Sequence, residues 1–310
     1  MSAPLDATER AALEAFERGL AVARWDGRDQ ADWVDFGLRC LLEAGRVLRA
    51  NSLGFHGRVH VKEDGSPATR LEREVERGVR ERLAAFAPDA AFLGEESGGE
   101  RPGAGFAVAV DPVDGTHAFL SETATWACVI SVLLDGQPFA GFVANPATGE
   151  IAYALRGGRA RLVRLPVFGE PASAHTLPTR AQADGPLLVC LHPHRGTDAL
   201  RAALHAAWQR DELRLVRSPG GSPTWGLAEA ARGHHVYLNA WSREPAQPFD
   251  LVAGTLLVRS AGGEVVDADG APIDATCHAG PWIAGVHAAQ RARVAALVRG
   301  AWPDAAGGAQ

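Results

Sequence analysis

The chain has 310 residues, 46% of them apolar and 22% charged, and a formal net charge of -6. That composition fits one large globular domain or two ordinary ones, and excludes a disordered chain, a collagen-like repeat and a simple coiled coil. The acidic balance argues against a protein whose main task is non-specific nucleic-acid binding, because phosphate backbones select basic surfaces. Lys62 is the only lysine among 31 basic residues, and Met1 the only methionine, a bias that Arg-rich coding accounts for. The cysteines Cys40, Cys128, Cys190 and Cys277 form no CxxC pair, so they read as free thiols in a reducing compartment. The N-terminus lacks the apolar core of a signal peptide, and no stretch is long and apolar enough to span a membrane; a soluble, cytoplasmic protein is expected.

In chain order, residues 1–30 read as a polar extension. Helical spacing of Trp33, Phe36, Cys40, Leu41, Ala44, Val47 and Leu48 predicts a helix over 31–50. A second helix is expected over about 69–86, with Leu71, Val75, Val79 and Leu83 on one stripe and charges opposite. Ala91–Leu93 is a short strand candidate, and 106–110 a buried strand that ends at Asp111-Pro112. Strands follow at 126–134, 138–144 and 150–155, the first two joined by the turn dipeptide Asp135-Gly136. Residues 156–185 are weakly patterned and are expected to connect an N-terminal α+β subdomain (31–160) to a C-terminal α/β subdomain (185–310). In the latter, strands at 187–191, 213–216, 235–238 and 282–286 alternate with helices at 197–209, 222–232, 251–261 and 287–299, a helix-strand alternation typical of α/β proteins.

Three acidic clusters fall at element ends: Glu95-Glu96, Asp111 with Asp114, and Asp250. Carboxylates at strand ends are placed to converge on one site in an α/β protein. In Asp111-Pro112-Val113-Asp114-Gly115-Thr116 the proline forces a turn and the glycine permits one. The result is a hard-oxygen array, two carboxylates and the Val113 carbonyl, of the kind Mg²⁺ prefers. Thr116 stands where a helix starts, with a hydroxyl and backbone N–H groups suited to phosphate. Asp250 is also expected to cap the helix that follows it, and Ser222 and Pro223 are expected to open another.

The segments GEES (94–97), DPVDGTHAF (111–119), FDLVAGTLLVRSAGGEVVDADG (249–270) and KEDGSPAT (62–69) resemble the signatures of the inositol monophosphatase family, in the right order over about residues 35–300. The resemblance implies an α/β fold, a layered α/β/α/β/α sandwich, and a lithium-sensitive phosphatase that uses two or three Mg²⁺ ions to hydrolyse a small phosphomonoester with activated water. It implies Glu95, Asp111, the Val113 carbonyl, Asp114 and Asp250 as metal ligands. Glu95, Thr116 and Glu72 would be catalytic, with Thr116 and Glu72 orienting the water. Gly115, Thr116, Gly221, Ser222 and Asn239 would contact substrate, with Lys62, Glu96 and His117 as further candidates. It also implies a homodimer acting on a small phosphorylated metabolite, while the net charge and the lack of an apolar span lead to the expectation of neither nucleic acid nor membrane as partner.

The sequence departs from the family pattern at Glu72, at Asn239, in the loop LSETATW after Phe119, which lacks the family's glycine, and in the stretch AWSREPAQP at 240–248. Glu72 stands where the family has Asp; Thr69-x-x-Glu72 also fits a capping box, and both readings stay open. Asn239 stands where inositol-specific members have Glu, which disfavours a strict inositol preference. Trp241 and Arg243 in the next loop are candidates for stacking on, or pairing with, a substrate. Histidinol-phosphatase and 3′(2′),5′-bisphosphate nucleotidase are the alternative activities, and a catalytically weak metal-binding regulatory protein is the alternative from another class.

Overall fold

The computed structural model describes residues 24–25, 28–52, 59–61, 67–99, 103–166, 172–179, 187–192, 197–217, 220–240 and 245–302. Lys62, His194, Trp241, Arg243 and most of the N-terminal extension lie outside these residues. Two short ladders come first: β1 (Arg24–Trp25) with β2 (Arg28–Asp29), and β3 (Val59–Val61) with β4 (Pro67–Thr69). Helix α1 (Gln30–Asn51) lies between them, and α2 (Arg70–Phe86) follows β4.

The larger sheet is built from β5 (Ala91–Gly94), β6 (Gly98–Gly99), β7 (Phe106–Asp114), β8 (Ala127–Leu134), β9 (Gln137–Asn145), β10 (Glu150–Leu155), β11 (Arg161–Arg164) and β12 (Ser173–Thr176), with the short helix α3 (Thr116–Leu120) after β7. Its order is β12-β11-β10-β9-β8-β7-β5-β6, antiparallel throughout except where β5 runs parallel to β7. The smaller sheet has the order β14-β13-β15-β17-β16. Its strands are β13 (Leu188–Leu191), β14 (Leu215–Arg217), β15 (Val236–Asn239), β16 (Glu264–Val266) and β17 (Trp282–Gly285), and its helices α4 (Asp198–Gln209), α5 (Pro223–Ala230), α6 (Pro248–Ser260) and α7 (Ala288–Val298).

Three apolar clusters stack these elements into five layers. Trp33, Leu41 and Leu83 of α1 and α2 pack on Val108, Ile130 and Phe142 of the larger sheet. Leu227 and Leu257 of α5 and α6 are gathered with Val129 and Ala152 of that sheet and with Tyr237 and Trp282 of the smaller one. Leu200, Leu204, Val294 and Val298 of α4 and α7 cover Val189, Leu238 and Ile283 on the outer face. The order is α/β/α/β/α, as the family resemblance implies. A helix between two sheets must be apolar all round, and α6 buries every residue from Leu251 to Val258. Small residues let it approach the larger sheet: Ala107 and Ala109 share a cluster with Val252, and a Cβ on Gly141 would lie 2.5 Å from the Ala253 Cα.

The Asp135-Gly136 turn joins β8 and β9 with positive φ at both residues (52° and 71°), the conformation that sets hairpin twist. Three expectations need correction. Residues 156–185 are not only a connection: β11 and β12 lie there and extend the larger sheet, their short runs too polar and Arg-rich to read as strands. Strand β7 does not end at Asp111-Pro112 but runs to Asp114, because the register shift between Asp111 and Asp114 puts Pro112 where no ladder donor is needed. The third correction concerns α2: Glu72 and Glu76 are buried with its apolar stripe rather than facing solvent. Among the described residues no helix is long and apolar enough to cross a membrane.

The aromatic anchor of the first layer is Trp33, fully buried, with ring centroids 4.6 Å from Phe106 and 4.9 Å from Phe86. Trp33→Ala is expected to lower the free energy of unfolding by about 3–5 kcal/mol, read from the urea midpoint. Trp33→Phe should cost much less, since the buried indole Nε1 has no hydrogen-bond partner to lose.

Candidate metal and phosphate site

The parallel pair β5–β7 brings two acidic segments to the same sheet end. Gly94 pairs with Val110, and the Glu95 N–H donates to the Val110 carbonyl at 3.0 Å. Glu95 and Asp111 therefore leave neighbouring strands together. The irregular step at Pro112 re-aims Asp114, and the Asp111 Oδ1 accepts from the Val113 N–H at 2.9 Å. Asp111 is buried. That desolvation, then hydrogen-bonded Glu95 and the charges of Asp114 and Asp250, push its carboxyl well above the usual range. Asp114 is raised to about 6, chiefly by burial, against the lowering effect of hydrogen bonds from Ser222 and Thr224.

Gly115 adopts the left-handed region (φ 89°), and a Cβ there would meet the Ser222 backbone N at 2.7 Å. Thus the first half of the chain touches the start of α5 backbone to backbone. Asp114 Oδ2 accepts from the Ser222 hydroxyl at 2.5 Å and from the Thr224 N–H at 2.9 Å. The Ser222 Oγ in turn accepts from the Trp225 N–H at 2.7 Å, the expected N-cap bond, with Pro223 opening the helix. Gly221 is equally tight: its φ is 89°, and a Cβ would lie 2.5 Å from Thr125 Oγ1.

Asp250 sits differently from expectation. It does not precede a helix as its N-cap, because Pro248 starts α6 two residues earlier. It occupies the first turn, where its Oδ2 accepts from the Gln247 N–H at 2.6 Å, the second half of a capping box. Its own carbonyl accepts from the Thr224 hydroxyl at 2.8 Å. Gly262 and Gly263 close the same helix, their N–H groups donating to the Arg259 and Val258 carbonyls at 2.9 Å each.

Glu72 points into this site from α2. The Thr116 hydroxyl lies 3.0 Å from Glu72 Oε1 and 3.1 Å from the Val113 carbonyl, one proton facing two acceptors. The extra methylene relative to Asp thus spans the distance to Thr116, whatever Thr69 contributes as a cap. The structure brings together Glu72, Glu95, Asp111, Val113, Asp114, Gly115, Thr116, Gly221, Ser222 and Asp250. Glu96 is tied in through its backbone, His117 is exposed on α3, and Asn239 is buried at the end of β15 in the other sheet. His192 is structural, its Nδ1 lying 2.8 Å from the Tyr237 hydroxyl.

Three participants were not legible beforehand. Thr224 orients both Asp114 and Asp250, Thr125 braces Gly221, and the carboxylate of Glu76 accepts from the Glu96 N–H at 2.7 Å. Glu76 stands four residues after Glu72, one helical turn on the same face, which was the available signal. Among the described residues the acidic side chains are not gathered into a ready-made cage of three or more. Their chemistry still fits a hard divalent cation: carboxylate and carbonyl oxygens, with one buried carboxyl whose ionisation its acidic neighbours oppose.

The fold is a layered α/β sandwich with acidic residues at neighbouring strand ends. Residues 29–302 match the family model described as "Inositol monophosphatase family". The chain is 31% identical over 234 residues to a histidinol-phosphatase of Mycobacterium tuberculosis, covering 69% of this chain and 78% of that one. It is 33% identical over 218 residues to an inositol-1-monophosphatase of Rhizobium meliloti, covering 68% and 76%. The solved structure of an IMPase from Thermotoga maritima shares the fold, with a TM-score of 0.69 at 22% identity over 87% of this chain and 99% of that one. The chain belongs to the inositol monophosphatase family and is a phosphatase of that family.

Proposed function

We propose that the chain hydrolyses a small phosphomonoester with divalent metal, Mg²⁺ in two or three positions, held by Glu95, Asp111, the Val113 carbonyl, Asp114 and Asp250. The observation that carries this reading is the pairing of β5 with β7, which brings Glu95 and Asp111 off neighbouring strand ends, with Asp114 and Asp250 tied to the same place through Thr224. When bound, the cations would neutralise phosphoryl oxygens and lower the pKa of water. The protein supplies the rest. Asp114 is held by Ser222 and Thr224, so its free oxygen has a fixed direction. Thr116, bonded to Glu72, gives a water molecule a neighbouring hydroxyl whose proton has an acceptor. Gly115 and Gly221 let the two chain segments of the site meet backbone to backbone, which supports Gly115, Thr116, Gly221 and Ser222 as the substrate-facing group, with His117 and Glu96 as further candidates. Asn239 suits a neutral hydroxyl or amide contact rather than the charged acceptance of a Glu, which favours substrates outside a strict inositol class. A homodimer in the cytoplasm, free of nucleic acid and membrane, completes the proposal.

The test is phosphate release with Mg²⁺ from inositol 1-phosphate, histidinol phosphate, adenosine 3′,5′-bisphosphate and fructose 1,6-bisphosphate. At least one should turn over well above the rest, and failure on all four counts against the proposal. The weak regulatory alternative is motivated by Glu72 and the altered loops, and the 3.0 Å reach of Glu72 to Thr116 favours an intact site on the first of these. Glu72→Gln is therefore expected to lower kcat by about 10²–10³-fold with little change in KM, as removal of a proton acceptor does. A strong rise in kcat for Glu72→Asp would instead show a compromised native site.

The carboxylates also predict a pH dependence of the metal-free protein. A folded Asp114 pKa of about 6, above its usual value of 3.8, means the folded state holds more protons than the unfolded chain between them. Stability from this group is present below about pH 4 and lost as pH rises through 6. In chelator, Asp114→Asn should thus gain on the parent by about 2–3 kcal/mol between pH 4 and pH 7, read from paired denaturant curves. Adding Mg²⁺ at pH 7 should stabilise the parent and not the variant.

A further inference from the structure

Helix α2 carries a polar stripe at four-residue spacing, Glu72, Glu76 and Arg80, and each member holds a different part of the acidic site. Glu72 takes the Thr116 hydroxyl. Glu76 Oε1 takes the Glu96 N–H at 2.7 Å, and Arg80 Nη2 donates to the Ser97 hydroxyl at 2.8 Å while its guanidinium stacks 4.1 Å above Phe92 of β5. Glu76 is nearly fully buried, at 2% exposure, and its second oxygen, Oε2, has no hydrogen-bond partner. That oxygen presses on the Cα face of Gly94, where any Cβ would collide with it. A buried, half-satisfied carboxylate is a poor stability device. Its position explains it better: it spans from the helix to the chain segment on both sides of Glu95, gripping Glu96 after it and Gly94 before it.

We propose that Glu76 is a positioning residue for the metal site, fixing the Gly94–Ser97 turn so that the Glu95 carboxylate faces Asp111. It acts as a hydrogen-bond acceptor of the right length and not through its charge. The turn is otherwise tied to the sheet by the Glu95 N–H bond to Val110 and, at its far end, by the short β5–β6 pairing; Glu76 holds it through the Glu96 N–H and through Ser97, which Arg80 also contacts, and these are the points from which the Glu95 side chain is steered. Groups that orient a metal ligand from behind it typically change metal affinity or activity by about 10–100-fold when removed. The proposal rests on the metal reading of the site.

Length and charge separate under substitution. Glu76→Gln keeps the acceptor at the same reach and removes the charge. Glu76→Asp keeps the charge and falls a methylene short. Glu76→Leu fills the space and removes both. The measurement is Mn²⁺ affinity of the chelator-stripped full chain, by electron paramagnetic resonance of the free ion, alongside thermal melting in chelator and the Mg²⁺ concentration for half-maximal turnover. Glu76→Gln should bind Mn²⁺ within about threefold of the parent, while Glu76→Asp and Glu76→Leu bind about tenfold or more weakly, with the Mg²⁺ requirement shifted in step. KM at saturating Mg²⁺ should not move. Arg80→Met, on the exposed side of the same turn, provides a variant that spares the core and should weaken Mn²⁺ two- to threefold, as loss of a solvent-exposed bond to the same turn does. Glu76→Asp binding as the parent while Glu76→Gln fails would overturn the proposal in favour of simple charge attraction. Parental affinity in all four variants would overturn it outright. Absence of Mn²⁺ binding by the parent itself would overturn the metal reading, and this inference with it.

Discussion

Asp111→Asn is expected to reduce phosphate release by about 10³-fold or more while leaving the chain folded. Asp111 has one oxygen committed to the Val113 N–H, and Asn keeps an oxygen for that bond. What it loses is the charge and the second acceptor, replaced by an amide donor aimed where a cation would sit. The same change relieves repulsion from Glu95, Asp114 and Asp250, so the variant in chelator should melt no lower than the parent, and higher near neutral pH. Loss of turnover with gain of metal-free stability is the signature of a carboxylate retained for a ligand rather than for the fold. Turnover within tenfold of the parent would remove Asp111 from the site.

The second large effect is expected at Gly221. Its φ of 89° disfavours any side chain, and a Cβ would lie 2.5 Å from Thr125 Oγ1 and collide with the Thr125 carbonyl. The Ser222 N–H donates to that carbonyl at 2.7 Å, so the start of α5 has no slack there. Gly221→Ala should therefore cost about 3 kcal/mol in stability, the sum of left-handed strain and forced backbone movement. It should also lower turnover by about 10²-fold, because Ser222 and Thr224 move with the loop and carry Asp114 with them. Gly157→Ala is the matched control. It has the same positive φ (78°) with open space around the new Cβ, and should cost about 1 kcal/mol with turnover unchanged.

Much of this arrangement was legible because it is local. The Asp135-Gly136 hairpin, the apolar stripe of α1 and the buried strand beginning at Phe106 each follow from periodicity and turn chemistry within a dozen residues. The acidic motifs were legible for the same reason, with the family resemblance adding their assembly. What was missed is long-range or geometric. Strands β11 and β12 form because the sheet edge offers ladder partners, not because Arg161–Arg164 or Ser173–Thr176 carries a strand pattern. Pro112 suggests a strand end, yet a register shift across from β8 lets the strand pass through it. Pro248 moved the start of α6 upstream, turning Asp250 from a cap into a first-turn residue. Glu76 looked like one more surface charge, since only the fold puts Gly94 and Glu96 beside it. Thr224 gave no local sign of orienting two acidic residues from 26 and 110 positions away.

The reach of Glu72 to Thr116 also reframes the departure from the family pattern. The Glu in that position reaches the Thr116 hydroxyl from α2. The hydroxyl, the carboxylate and the Val113 carbonyl form one small hydrogen-bonded unit across three segments, α2, β7 and α3.

If Glu95, Asp111, Asp114 and Asp250 hold the cation, phosphate release depends on a divalent metal. The most direct test is phosphate release from the four-substrate panel as Mg²⁺ is titrated into chelator-stripped protein. No release is expected in chelator, with a saturable rise as Mg²⁺ is added on at least one substrate. Release that is equal in chelator and in Mg²⁺, or none on any substrate at any Mg²⁺ concentration, would contradict that expectation.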